Sequence, residues 1–286
     1  MNPNLVILAG GIGSRMKKQL TATAGVNEEL LRDAETKPKG LIGLGEGGRP
    51  FLDYLLKNIE EAGYRDVVIV TGERDTFTRE FYGRGDFGNV FGKLSISYAA
   101  QPIPTGRTRP LGTADALQRA LDARTDWAGQ KFTVCNSDNL YSVNALRLLL
   151  ESLESNAMID YDRKALAFEA SRIAQFAVIQ KDDDGYLTNI VEKPSPGELA
   201  AATDEHGRIG VSMNIFRFSY DQILPELGRV PLHPVRMEKE LPSAVSGLAQ
   251  SRARSVLTIP LSEYVPDLTQ QSDILAVQEF LKKMKT

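Results

Sequence analysis

The chain is poor in the residues that carry most metal, disulfide and acid–base chemistry: among 286 residues it has one cysteine and two histidines. A single Cys135 excludes an intramolecular disulfide and any cysteine-built metal site. Its neighbours Phe132, Val134 and Asn136 read as a strand, so the thiol is expected to be buried and structural. His206 and His233 stand far apart, in polar or proline-flanked loops, and are read without a catalytic role. No apolar run approaches the roughly 20 residues that span a bilayer. Met1-Asn2-Pro3-Asn4 leads straight into a strand rather than a signal peptide, so a cytoplasmic protein with no membrane partner is expected. A basic excess is missing too. The net charge of −3 and pI near 5.6 give nothing to attract nucleic acid, and any phosphate must be met by local cations. What is there, 42% apolar and 25% charged residues, is the make-up of an ordinary folded protein.

Leu5 to Ala9 is a short continuous apolar run ending in Gly10-Gly11, as a strand buried on both faces would be. A helix is predicted from Pro50, taken as the first helical residue, to Ala62, with Gly63 closing it. Asp66 to Thr71 is the next strand and Leu94 to Ala99 another. Thr113 is predicted to cap a helix running to about Arg124, Lys131 to Asn136 to be a strand, and Ser142 to cap a helix reaching Leu153. This alternation implies an α/β fold, a Rossmann-like, mostly parallel sheet flanked by helices, with ligands beyond the carboxyl ends of the strands.

After about residue 163 the rhythm changes. Leu166 to Glu169, Phe176 to Gln180 and Leu187 to Glu192 read as closely packed strands with Asp184-Gly185 as a turn, and Val211 to Phe218 as one more. Helices are predicted at Glu238 to Ala249 and Gln270 to Lys283. The expectation is one continuous domain over 1–286, with a more antiparallel second half from 164. Met16 to Thr36 is polar, rich in small residues and too long for a simple connection; a flap over the site and a surface excursion both fit it.

The residues that can carry chemistry follow the predicted strands. Leu8-Ala9-Gly10-Gly11-Ile12-Gly13-Ser14-Arg15 sets three glycines and an arginine directly after the first strand, so backbone N–H groups can approach a phosphate or base closely. It is neither a Walker loop nor a complete dinucleotide fingerprint. Lys37-Pro38-Lys39-Gly40 adds a second basic cluster, with Pro38 stiffening the approach of Lys39. Gln101-Pro102 brings an amide able to donate and accept, and Leu111-Gly112-Thr113-Ala114 a helix start. Asp138, after the strand at Lys131, suits Mg²⁺, which takes few carboxylates and completes its shell with phosphate and water. Glu192-Lys193-Pro194 pairs an anion with a cation, and Tyr264-Val265-Pro266-Asp267 ends on another carboxylate. Asp182-Asp183-Asp184-Gly185 lacks the spacing of a calcium loop and reads as a hairpin turn, and Arg107 and Arg109 as solvated loop charges.

Taken in order from about Leu5 to Asp267, these segments resemble the sugar-1-phosphate nucleotidyltransferase family. The resemblance implies Mg²⁺-dependent joining of a nucleoside triphosphate to a sugar-1-phosphate, with release of pyrophosphate. It assigns Arg15 and Lys39 to the triphosphate, Lys193 to the sugar phosphate, and Asp138 with Asp267 to the metal. Leu8, Ala9, Gly10, Gly11, Gly13, Gln101, Gly112 and Thr113 would hold the nucleotide, and Glu192, Phe176, Ala177 and Ser212 the sugar. Four departures fall mainly on the sugar side: the long spacer between Arg15 and Lys39, Ala177 and Asn214 where glycine is frequent, and the Tyr-Val-Pro-Asp-Leu context of Asp267. Two other readings stay open, a nucleotide-sugar glycosyltransferase and a silent subunit that keeps the fold. The first is disfavoured by Asn139 where a second aspartate is expected, the second by retention of Arg15, Lys39, Asp138 and Lys193 together.

Overall fold

The computed structural model describes residues 3–17 and 28–284. Its elements in chain order are β1 (Asn4–Leu8), α1 (Glu28–Thr36), α2 (Phe51–Ala62), β2 (Asp66–Gly72), α3 (Phe77–Tyr82), β3 (Asn89–Phe91), β4 (Leu94–Gln101), α4 (Thr113–Ala123), β5 (Lys131–Asn136) and α5 (Val143–Glu151). There follow β6 (Ala157–Asp162), α6 (Ala170–Ile173), β7 (Val178–Lys181), β8 (Leu187–Val191), α7 (Pro196–Ala201), β9 (Gly210–Val211), β10 (Phe216–Ser219), α8 (Tyr220–Arg229), α9 (Leu241–Ser251), β11 (Leu257–Leu261) and α10 (Asp273–Lys283).

The strands form one sheet in the order β3-β4-β2-β1-β5-β10-β6-β9-β7-β8, with β11 on β6. β4, β2, β1 and β5 are mutually parallel, as their continuous apolar runs require of strands covered on both faces. From β10 onward the pairings are antiparallel apart from β6 with β11. Alternate residues of β1 feed two cores. Leu5 and Ile7 pack with α2, α5 and α10, whereas Val6 and Leu8 pack with α4, α8 and α9. Each such fully buried aliphatic side chain stabilises the fold by about 1.5 to 3 kcal/mol. Cys135 lies in the first core, fully buried, with its thiol pKa pushed far up by burial.

Several predicted boundaries move for local reasons. Pro50 is the residue before α2 rather than its first, while Gly63 closes the helix in the left-handed region at φ 109°. The cap of α4 falls to Gly112; Thr113 turns its hydroxyl instead to the backbone N–H of Leu241, 2.8 Å away, pinning the start of α9. Ser142 caps α5 through the Ala145 N–H at 3.0 Å, but the helix stops at Glu151 and leaves Leu153 almost wholly exposed. Leu166 to Glu169 is no strand: a 3-10 turn at Arg163–Leu166 runs into Ala167 at φ 50°. The predicted strand Val211 to Phe218 is broken into β9 and β10, with Asn214 between them at φ 55°. Asparagine tolerates that left-handed conformation better than other non-glycine residues, which accounts for its standing where glycine is frequent.

Of the polar segment Met16 to Thr36, residues 18–27 lie outside the described residues. Its ends are anchored. Met16 is buried and its carbonyl accepts from Gln271 Nε2 at 2.9 Å, and α1 buries Leu30 and Ala34. No helix among the described residues is long and apolar enough to cross a membrane.

Candidate active site

The parallel strands β1, β4 and β5 end on the same side of the sheet, and a cavity of about 640 Å³ opens there. It falls in the size range of nucleotide and small-molecule pockets. Its lining includes Leu8, Ala9, Gly10, Gly11, Gly13 and Arg15 from the first loop, Lys39, Gln101, Gly112 and Thr113, and Asp138 and Lys193. Twelve residues singled out from the sequence thus meet in one place. A second cavity of about 270 Å³ shares the glycine loop, Lys39 and Gln101, and extends toward Phe77.

Gln101 is buried at 3% exposure, and its amide orientation follows from chemistry. Nε2 lies 2.8 Å from the Gly112 carbonyl and 2.9 Å from Asp115 Oδ2, both acceptors only, so the NH₂ must face them. Asp115 is itself held by Arg119 at 3.0 Å. Gln101 Oε1 is thereby turned toward the glycine loop, only 2.8 Å from where a Cβ on Gly10 would stand, so a larger residue at Gly10 must displace the Gln101 amide. The expectation that Gln101 both donates and accepts toward a base narrows accordingly: its donors are committed inside the protein.

Lys39 leads a 3-10 turn introduced by Pro38 at φ −55° and followed by Gly40, where a Cβ would stand only 3.2 Å from the Leu52 side chain. Its Nζ lies 2.8 Å from Asp138 Oδ2, so the lysine expected at the triphosphate and the aspartate expected at a metal are paired with each other. Asp267 reaches the same spot by backbone bridging. Asn139 pairs with Asp267, the Leu268 N–H donates to the Asp138 carbonyl at 2.8 Å, and the Leu140 N–H to the Pro266 carbonyl at 2.9 Å. The Asp267 carboxylate accepts from Thr269 Oγ1 at 2.6 Å and faces Arg172 Nη2 at 2.8 Å. Burial, and then the charge of Asp138, push its pKa up, while Thr269 and Arg172 oppose the rise. Among the described residues no three acidic, histidine or cysteine side chains cluster as a metal site. Two carboxylates, with the charge of Asp138 felt at Asp267, fit Mg²⁺, which asks for one or two and takes its other ligands from phosphate and water.

The four residues expected at the sugar line neither cavity. Phe176 packs edge-on against Phe168 at 5.4 Å, and Ala177 offers its carbonyl to the Ser212 N–H at 2.9 Å. Glu192 is bonded to Arg236. Next to it Lys193, held at φ 47°, does reach the large cavity, as does the neighbouring Gln175.

Arg236 is a cavity residue that the sequence reading missed. It lies in a strap of residues 231–240 that crosses from the Gly112 turn to the Glu192-Lys193 strand end. The strap is tied by the Lys239 N–H to the Leu111 carbonyl at 2.5 Å and the Ala114 N–H to the Lys239 carbonyl at 3.0 Å. His233 organises it, its Nδ1 accepting from the N–H groups of Val235 and Arg236, both at 3.1 Å. Arg236 joins Glu192 to Glu240, 2.6 Å from its Nε. The signal in the sequence was the run Arg236-Met237-Glu238-Lys239-Glu240 just before a helix, which reads as a solvated face until the fold shows what it crosses. Arg109, read as a loop charge, also lines the cavity, whereas Arg107 donates to the Met237 carbonyl.

Comparison with known proteins gives the family. The model of the nucleotidyl transferase family matches residues 4–219, and the chain belongs to that family, the one its motifs resemble. The low-salt glycan biosynthesis nucleotidyltransferase Agl11 of Haloferax volcanii is 27% identical over 68% of this chain and 46% of its own. A glucose-1-phosphate adenylyltransferase of Koribacter versatilis is 25% identical over 78% of this chain and 49% of its own. The chain spans about half the length of the curated relatives it matches. In fold it is similar to a UDP-glucose pyrophosphorylase solved with UDP-glucose, at a TM-score of 0.70 and 16% identity over 99% of this chain and 100% of the other.

Proposed function

We propose that the protein is a Mg²⁺-dependent sugar-1-phosphate nucleotidyltransferase, which forms a nucleoside diphosphate sugar and pyrophosphate. The observation that carries this reading is the meeting of Arg15, Lys39, Lys193 and Arg236 with Asp138 in one cavity beside a glycine loop. Those cations match two anionic substrates, and the names of the relatives point to hexose-1-phosphates as acceptors.

A sugar phosphate has its second pKa near 6, so at neutral pH its oxygen is already a nucleophile and no strong base is needed. What the chain must supply is in-line positioning and cancellation of charge. The loop Leu8 to Gly13, Gln101, Gly112 and Thr113 would hold base and ribose. Arg15 and Lys39 would neutralise the triphosphate and then the departing pyrophosphate. Lys193, with Arg236 beside it, would hold the acceptor's phosphate, and Glu192 would serve a sugar hydroxyl once it gives up Arg236. Asp138, with Asp267, would hold Mg²⁺, which when bound draws charge from the α-phosphate oxygens.

The test is pyrophosphate release across a matrix of nucleoside triphosphates and sugar-1-phosphates. Release is expected for at least one pair, to vanish in EDTA, and to fall at least a hundredfold in Asp138→Asn with circular dichroism unchanged. Full turnover in EDTA or in the variant would remove the metal from the reading. Transfer of sugar from a nucleotide sugar, without pyrophosphate, would replace it by a glycosyltransferase.

A further inference from the structure

The two carboxylates proposed to face the metal differ in what already holds them. Asp267 is clamped. Arg172 lies 2.8 Å from its Oδ2, is bonded as well to Asp273, and spreads over the Phe168 ring 4.6 Å from the centroid. With Thr269 on the other oxygen and both aspartates buried, at 9% and 6% exposure, that guanidinium is committed to two carboxylates and a ring, and it lines neither cavity. Asp138 is held differently. Its partner Lys39 lines both cavities and has its Cγ 3.8 Å from where a Cβ on Gly13 would be. Its ammonium therefore lies on a flexible four-carbon stem between the carboxylate and the phosphate-facing loop.

A lysine 2.8 Å from Asp138 Oδ2 sits where a cation bound by that carboxylate would sit. Two cations on one carboxylate repel, and an ammonium gains more from a triphosphate than from one aspartate. We propose that Lys39 is a placeholder for the divalent cation: it neutralises Asp138 while the site is free of nucleotide and moves to the phosphates when the nucleotide arrives. The protein alone then takes up the metal poorly, and the nucleotide brings it in. This rests on the nucleotidyl-transfer reading and assigns Lys39 a second task within it. Arg172, committed to two carboxylates, stays in place throughout, so Asp138 is the carboxylate that changes partner.

The experiment is a titration of the nucleotide-free full chain with MnCl₂ alone, following the free Mn²⁺ signal by electron paramagnetic resonance. Lys39→Met is expected to bind Mn²⁺ at least tenfold more tightly than the wild type. Lys39→Arg, which keeps a cation on Asp138, should behave as the wild type, and Asp138→Asn added to Lys39→Met should abolish the gain. Wild type and Lys39→Met binding Mn²⁺ equally would overturn the placeholder, as would a gain that survives Asp138→Asn. Should Lys39→Met fail to fold, Lys39→Gln carries the same comparison. Pyrophosphate release by the wild type separates the two levels. An active wild type without a gain in Lys39→Met defeats the placeholder alone, while a wild type inactive on every substrate pair defeats the reading beneath it and the placeholder with it.

Discussion

Gly210 is fixed by its neighbour Asp160, a fully buried carboxylate on β6. Lys181 Nζ and Arg208 Nη1 reach Asp160 Oδ2 at 2.8 and 2.7 Å, and Oδ1 lies 1.8 Å from where a Cβ on Gly210 would stand. An alanine there must push the carboxylate away from its two cations, and opening a buried ion pair costs about 3 to 5 kcal/mol. Gly210→Ala is therefore expected to lower the unfolding free energy by about that amount in urea titration; a loss under about 1 kcal/mol would show that Asp160 can yield. Nothing in the sequence marks this triad, because Asp160, Lys181 and Arg208 come from three separate segments. The site residues were legible for the opposite reason. Arg15 stands in a short motif directly after an apolar run, and Lys39 and Lys193 each stand beside a stiffening proline, so local sequence carries their placing. Arg236 and Arg172 act across the fold, and each looks like an ordinary surface charge in its own segment.

At the scale of the element, strands with continuous apolar runs could be read, as could β7 and β8 on either side of their Asp184-Gly185 turn, whereas β3, β6 and β11 could not. β1 and β2 are nearly unbroken apolar runs, whereas β6 carries Asp160 and Asp162, β11 carries Pro260, and β3 is a three-residue edge strand. The strap at 231–240 escapes periodicity altogether, since turns and a charge cluster hold it. That cluster has its own pH dependence. Burial, and next the charge of Glu192, push the Glu240 pKa from 4.5 up to about 7, against the pull of Arg236. An acid whose pKa rises on folding holds its proton longer in the folded state. Its contribution is full below about 4.5 and is lost as pH rises through about 7. Melting temperatures of wild type and Glu240→Gln across that window are expected to show the wild type losing ground to the variant as pH rises, with the gap level above it. A gap that does not change with pH would mean that Glu240 titrates as an exposed carboxylate.

Over the whole molecule, the parallel half from β1 to β5 supplies the glycine loop, Lys39, Gln101 and Asp138, and the mostly antiparallel remainder supplies Lys193 and Arg236. This division was visible in the change of rhythm after residue 163, although the sheet itself continues unbroken through β10. Both halves open on one cavity, so the two substrates would meet there from opposite walls. The division predicts how two single charges differ. Lys193→Ala is expected to raise the KM for sugar phosphate and lower kcat while leaving triphosphate binding nearly unchanged. Arg15→Ala should slow the chemical step with any acceptor, because the charge it balances grows on the leaving pyrophosphate. Each lost charge-assisted contact is worth about 1.5 to 3 kcal/mol, or roughly tenfold to a hundredfold in rate. Calorimetry of triphosphate binding without acceptor decides the matter: if Lys193→Ala weakens it as much as Arg15→Ala does, the two walls do not serve separate substrates.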